Sequence, residues 1–400
     1  MPASPKIEKL RAWWSHRQGL GPTPLTALPA AVLGQSGWAR SVGGCGPYLT
    51  LFSRAAISRE AADLAAAKLQ IHELPSARGC TYVVPAADFP LALRLARNSG
   101  GGEMRVAEKL GVTGKEIDKL CQAVLAALEK SPLAPDDIRE AAGKAVRSLG
   151  PEGQKKGLSS TLPVALGLLQ TTGEIRRVPI NGRFDQQRYK YTLWRPNPFL
   201  TADLDPQQAA TELAQRFFRW IGPARVTDFQ VFAGFGVKAA KAAVEPLMLE
   251  QLSKDDDRCL LPADRATFED FKLPKDPCYH LVTGIDSLLL LRRDLTSLID
   301  PKDLNHPLLA PESSRAGGTL MELPSPAILD RGRVAGMWEY DPATESIAYI
   351  AFGKKDSLLK KGVAITEEYI RTQMGDARTF SLDSPKSRVP RIEALRKEDY

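Results

Sequence analysis

Several large classes of chemistry are poorly provided for in this sequence. Its five cysteines (Cys45, Cys80, Cys121, Cys259 and Cys278) are odd in number, and no two make a C-x-x-C pair, so neither a disulfide framework nor a zinc ribbon is expected. Free or buried thiols in a reducing cytosol fit them better. The four histidines (His16, His72, His280 and His306) are scattered, and no serine or cysteine motif joins them into a nucleophilic triad. Cys278 and His280 are two apart, but nothing nearby completes a four-ligand set, so no metal and no cofactor is expected. The glycine clusters GGCG at 43–46 and GFG at 234–236 lack the Lys-Ser/Thr of a phosphate loop, which argues against nucleotide binding. DDDR at 255–258 reads as a solvated loop. No apolar run approaches the roughly 20 residues of a membrane helix. The opening MPASPKIEKLRAWW has no apolar segment before a cleavage site. A cytoplasmic protein without membrane contact is therefore expected.

What is present is the composition of a folded protein, 43% hydrophobic and 25% charged, over 400 residues. That length calls for two to four domains. The net charge of +7 is unevenly spread: residues 1–100 carry +6, 101–202 +5, 203–330 −6 and the remainder +2. A basic front half followed by an acidic stretch suggests that a polyanion meets the N-terminal half.

Along the chain, KIEKLRAWWSHRQ at 6–18 and SREAADLAAAKLQ from Ser58 have helical periodicity, ARGCTYVVP reads as a strand, and a helix starts at Pro85. NSGGG at 98–102 is a linker. Thr113 and Glu116 form a capping box ahead of Ile117, Leu120, Cys121, Val124, Leu125 and Leu128. Two further helices follow, near 136–146 and 159–172. Strand-like runs at 174–180 and 188–194 are joined around Asn181-Gly182. Helices followed by a charged hairpin are the order of a winged helix. The order recurs in 203–275, where RCLLP could begin another wing, and the first 97 residues also alternate helices with a strand. LVTGIDSLLLLRRD, TLMELPSPAILDRGRVAGMWEYD and ESIAYIAFGK read as strands of a small β domain, with DRGR at 330–333 as a turn. The tail holds one helix and a polar, proline-containing end without expected structure. The expected class is α+β, with about three tandem winged helices and a small C-terminal β domain. The boundaries are 1–98, 103–200, 203–275, 276–360 (β) and 361–400 (C-terminal helix and tail).

LRAWWSHRQGL, PYLTLFSRA, ARGCTYVVPAADFPLAL, IGPARVTDFQVFAGFGVKAAKAAV and LDRGRVAGMWEYD, in this order between about Leu10 and Phe352, resemble segments of the AlkZ/YcaQ-like family. The resemblance implies tandem winged helices wrapped with a β domain around a DNA channel, and excision of N-alkylated purines or crosslinked bases. It also implies a Gln-x-Gln or Gln-x-Asp signature a few residues before PYLTLFSRA. Aligned without a gap, those positions fall on Arg40-Ser41-Val42, which hold neither a glutamine nor an acid. Gln35 is the nearest glutamine, with Gly37 as its spacing partner. The catalytic residues thus stay unassigned, with Gln35, Arg40 and Ser41 as candidates. A polar loop residue is the plainer reading of Gln35. Arg40 would repel a developing sugar cation but could hold a phosphate.

Double-stranded DNA is the expected partner, held by a monomer, since three asymmetric units fit a single-site clamp better than a palindrome reader. Between 174 and 200, six basic residues oppose two acidic ones, making Arg176, Arg177, Arg183, Arg188 and Lys190 candidates for phosphate contact. Lys155, Lys156, Ser159, Ser160 and Thr161 precede or open the expected recognition helix, where hydroxyls and backbone N–H groups suit phosphate. Arg331 and Arg333 could probe a groove, though a plain turn reads equally well. A winged-helix transcription regulator, or a non-catalytic DNA-binding or scaffold protein, is the alternative.

Overall fold

The computed structural model describes residues 6–99, 101–186, 188–202, 204–292, 294–309, 315–316, 319–320 and 322–397. It is a mixed α/β fold in which one order of elements occurs three times. In the middle copy, helix Gly114–Leu128 opens with the reciprocal Thr113–Glu116 cap and buries Ile117, Leu120, Cys121, Val124 and Leu128 along one face. Leu133 then bridges Tyr191. Helices Pro135–Ala142, Gly150–Lys155 and Leu162–Thr171 follow, and strands Ile175–Pro179 and Tyr189–Leu193 close a hairpin with Arg177 opposite Tyr191. The core of this copy is drawn wholly from its own residues, from Ala107 to Tyr191.

The same order, with one helix fewer before the hairpin, runs from 206 to 260. Helix Pro206–Ile221 leads to Ala224, which bridges Cys259; helices Val226–Ala233 and Val237–Val244 precede the hairpin Glu250–Ser253 and Asp256–Leu260. It also runs from 29 to 85. Helix Pro29–Ser36 is followed by strand Ala39–Arg40, which pairs with Thr81–Pro85; helices Gly46–Ala55 and Arg59–Ala67 and strand Ile71–Pro75 lie between. Ser58 caps the Arg59–Ala67 helix by accepting the Ala61 N–H.

The first and third copies share their interiors with the rest of the chain. Trp13 and Trp14 of helix Ile7–Arg17 lie in one core with Phe217, Phe218 and Trp220. Their indole N–H groups donate to the carbonyls of Gly222 and Pro223, at 2.7 and 3.1 Å, so these amphipathic rings are buried without an unpaired donor. A second core joins Tyr48 and Leu49 to Trp338, Tyr340 and Tyr369.

The C-terminal sheet runs Ser346–Ala351, Arg333–Asp341, Ala327–Asp330, Tyr279–Val282, antiparallel throughout. Alternation along its long strand sends Met337 into the first core and Trp338 and Tyr340 into the second. Helix Pro385–Lys397 packs on this sheet and buries Arg388, Ile392 and Leu395. The polar end is therefore structured, contrary to expectation. Its arginines are used inward, with Arg388 donating to Asp376 at 2.7 Å.

Other expectations change too. The leucine run after Val282 leaves the sheet: Asp286 accepts the Leu288 N–H at 3.0 Å, and Ser287–Arg292 is a helix burying Leu288, Leu289 and Leu291. Leucine is unbranched at Cβ and among the better helix formers, and a preceding carboxylate satisfies a free N–H. DDDR is not a solvated loop but enters strand Asp256–Leu260, with Asp256 buried against Arg258. Of the run TLMELP, Thr319–Leu320 is a strand and Met321 lies outside the described residues. No described helix is long and apolar enough to cross a membrane.

Candidate functional site

The short strand of the first copy aims its side chains in opposite directions, as strand geometry requires. Arg40 and Val42 line a cavity of about 300 Å³. Ser41, between them, is buried on the other side, where its hydroxyl donates to the Glu73 carboxylate. Arg40 lies over the Tyr82 ring at 5.3 Å and donates from Nη1 to the Thr81 carbonyl at 3.0 Å. No ion pair engages it among the described residues.

The cavity forms where three parts of the chain meet. The turn between strands Ile71–Pro75 and Thr81–Pro85 supplies Arg78 and Cys80; the third copy supplies Phe232; the C-terminal segments supply Leu323, Pro324, Glu339, Phe380 and Arg391. Aromatic and aliphatic walls from Tyr82, Phe232, Leu289 and Phe380 are mixed with three arginines and three acids, so the cavity offers both packing surface and charge. Glu339 is the deepest acid, with 2% of its surface exposed. Arg391 Nε donates to its Oε1 at 2.7 Å, and Ser325 Oγ to the same oxygen at 3.3 Å. Arg391 also reaches Asp383 at 3.7 Å. Loss of hydration at Glu339 outweighs the pull of Arg391 and holds this carboxyl above its ordinary pKa. The sequence reading missed Glu339. Its signal was a lone acid within the apolar strand VAGMWEY.

The other candidates fall elsewhere. Gln35 is exposed on helix Pro29–Ser36 and does not line the cavity. On the hairpin of the middle copy, Arg188 and Lys190 are exposed, Arg177 lies over the Tyr189 ring at 4.4 Å, and Arg176 stands opposite Thr192. Arg177 also lines a second cleft, of about 530 Å³, together with Arg97. Arg183 is paired with Asp185 and donates to the Met374 carbonyl. Lys155 pairs with Glu152 on the surface, Lys156 and Ser159 are exposed, and Ser160 and Thr161 are buried, Thr161 accepting the Arg147 N–H at 3.0 Å.

The DRGR turn is docked rather than projecting. Arg331 forks onto Asp330 at 3.0 Å through both nitrogens, and Arg333 pairs with Asp300 at 3.0 Å. A Cβ on Gly332 would fall 2.0 Å from the Arg11 carbonyl oxygen, so the turn sits directly on helix Ile7–Arg17. Cys278 Sγ and His280 Nε2 are 3.2 Å apart. No cluster of three or more His, Cys, Asp or Glu among the described residues is placed to hold a metal ion.

The family profile described as DNA glycosylase AlkZ-like matches residues 39–350, from the strand bearing Arg40 to the last strand of the C-terminal sheet. The chain belongs to the AlkZ-like DNA glycosylase family. Among solved structures it is similar to the Streptomyces sahachiroi DNA glycosylase AlkZ, with a TM-score of 0.68 and 20% identity, covering 95% of this chain and 99% of that one. No curated protein sequence matches. In this AlkZ-like chain the cavity thus opens at the positions where the resemblance implies the Gln-x-Gln or Gln-x-Asp signature, and they carry arginine and valine.

Proposed function

We propose that this AlkZ-like protein binds double-stranded DNA and acts in the repair of alkylated or crosslinked DNA, holding a damaged nucleoside in the cavity beside Arg40 and Val42. The order of helix, short strand or bridging residue, two or three helices and hairpin, met three times, is read as three tandem winged helices followed by a β domain. One observation carries the reading: residues 40 and 42 face a cavity large enough for a nucleobase, with Tyr82, Phe232 and Phe380 among its walls. Arg188 and Lys190, exposed on the middle hairpin and without an ion pair among the described residues, supply charge suited to phosphates, and Arg176 and Arg177 flank them.

The test is incubation of the full chain with duplexes carrying 7-methylguanine, 3-methyladenine or a crosslink, followed by assay of free base. Release above the rate of untreated duplex supports excision. Binding without release from any substrate removes the enzymatic half of the reading. A second reading, a non-catalytic DNA-binding protein or transcription regulator, is favoured by the absence of a glutamine or acid at 40 and 42. A footprint with two-fold related half-sites would select the regulator. Restoring the signature with Arg40→Gln and Val42→Gln should raise release if the chemistry belongs to that strand.

A further inference from the structure

We propose that Glu339 is the catalytic carboxylate of this cavity, taking the polar role for which strand 39–42 offers no acid or amide. The inference rests on the DNA-repair reading above and adds the group that would face the reacting sugar.

The case begins with position. Glu339 lies two residues from the end of strand Arg333–Asp341, paired with Ala348 on one side, while on the other the neighbouring Trp338 N–H donates to the Pro326 carbonyl at 3.0 Å, just before strand Ala327–Asp330. Alternation puts it on the side of Met337, toward helix Pro385–Lys397 and the cavity that Arg40 and Val42 line. A strand so placed fixes its side-chain direction closely, as a reactive group requires.

The pattern of partners is lopsided. Both hydrogen bonds to Glu339, from Arg391 and Ser325, end on Oε1. Oε2 has no partner among the described residues and does not belong to the buried unsatisfied atoms, so it keeps access to the cavity. A buried acid serving only the fold would gain by having both oxygens satisfied. Here one oxygen is anchored and the other is left free. Arg391, shared with Asp383, positions the carboxylate and does not cover it. The other two acids of the cavity, Glu322 and Asp383, are more exposed and belong to its rim.

The chemistry follows from that free oxygen. As the water oxygen bonds to C1′ of the sugar, Oε2 accepts a proton from the water. The C1′–N bond breaks and its electron pair goes to the base. An N-alkylated purine that carries a positive charge becomes neutral on receiving the pair, so no acid is needed on the leaving side. The products are free base and an abasic sugar, and Glu339 returns its proton to solvent. The negative charge of Glu339, little screened at its buried position, favours the cationic character that C1′ gains. A carboxyl made more basic by burial accepts the proton more readily than an exposed one. Arg40, drawn back onto Tyr82 and Thr81, is left to meet a flanking phosphate.

The test compares the affinity of the full chain for two duplexes, identical except at one site. One carries a cationic pyrrolidine abasic analogue, the other a neutral tetrahydrofuran abasic site. The wild-type protein should prefer the cationic duplex by about tenfold or more. Glu339→Gln, nearly isosteric, should abolish the preference while tetrahydrofuran binding persists; because Arg391 loses its charged partner the melting temperature should fall, so both affinities are measured well below it. On any substrate that releases base, it should lower kcat about 100-fold or more with KM little changed. Equal wild-type affinity for the two duplexes overturns the assignment whether or not the variant folds, as does a preference that survives Glu339→Gln. Failure to bind either duplex overturns the DNA reading itself, and this inference with it.

Discussion

Arg54 and Asp286, 232 residues apart, meet as two forks: Nη1 lies 2.8 Å from Oδ2 and Nη2 2.8 Å from Oδ1, with both side chains buried. Gln18 accepts from the same Nη2 at 3.2 Å, and Asp286 also caps the Leu288 N–H. One pair thus ties helix Gly46–Ala55 to helix Ser287–Arg292 and to the end of the first helix. Breaking it from one side strands a buried charge. Asp286→Asn should cost about 3–5 kcal/mol, and the double variant Arg54→Met, Asp286→Leu less than either single change. Denaturant unfolding of Asp286→Asn, of Arg54→Met and Asp286→Leu singly, and of the double variant checks this. A double variant as weak as Asp286→Asn would show that the pair contributes more than mutual neutralisation.

The hairpin of the middle copy should report on DNA through salt. Arg188 and Lys190 are exposed, whereas Arg177 is engaged with Tyr189. Replacing Arg188 and Lys190 by alanine should weaken binding to all sequences alike. It should also reduce the slope of log K against log salt by roughly 0.9 for each phosphate no longer neutralised. Titrations between about 50 and 200 mM salt measure that slope. An unchanged value would put the phosphates on another face.

Acid should act through His72. Burial, with Arg176 and Arg177 nearby, lowers its pKa from 6.5 to about 3. The folded state therefore keeps it neutral, while the unfolded chain takes up a proton below 6.5. Stability is whole above that pH and drains away as pH falls toward 3. Between pH 7.5 and 5 the wild type should lose about 2 kcal/mol more than a His72→Leu variant. Parallel urea curves at the two pH values would contradict it.

Gly332 has φ +79° and no room for a Cβ against the Arg11 carbonyl. Gly332→Ala should destabilise by about 2 kcal/mol or more, since strain and a backbone clash combine. Thermal unfolding of the variant reads the loss, and an unchanged melting temperature would mean that the turn can lift from the first helix.

What the sequence made legible was local. The Thr113–Glu116 cap, the helix from Ser58, the 174–194 hairpin and the strands around DRGR all depend on neighbours within a few residues. The leucine run at 288–291 misled because an apolar stretch reads alike as strand or helix, and the deciding cap, Asp286, has its charge partner in Arg54. The tail misled because its arginines look solvated until Arg388 and Arg391 are paired with Asp376 and Glu339. The cavity was half legible. Arg40 and Val42 could be singled out from the resemblance, but Glu339 reaches them only through the fold, some 300 residues further along.

Sharing one interior between Trp13, Trp14, Phe217 and Leu395 has a consequence during synthesis. The middle copy can close on its own residues as soon as it leaves the ribosome, but the first helix must wait for the third. At about 5–20 residues per second, the two tryptophans stay uncovered for roughly 10–40 s. A nascent chain would present these two rings to solvent over that interval, and slow translation of residues 100–220 would lengthen its exposure to aggregation.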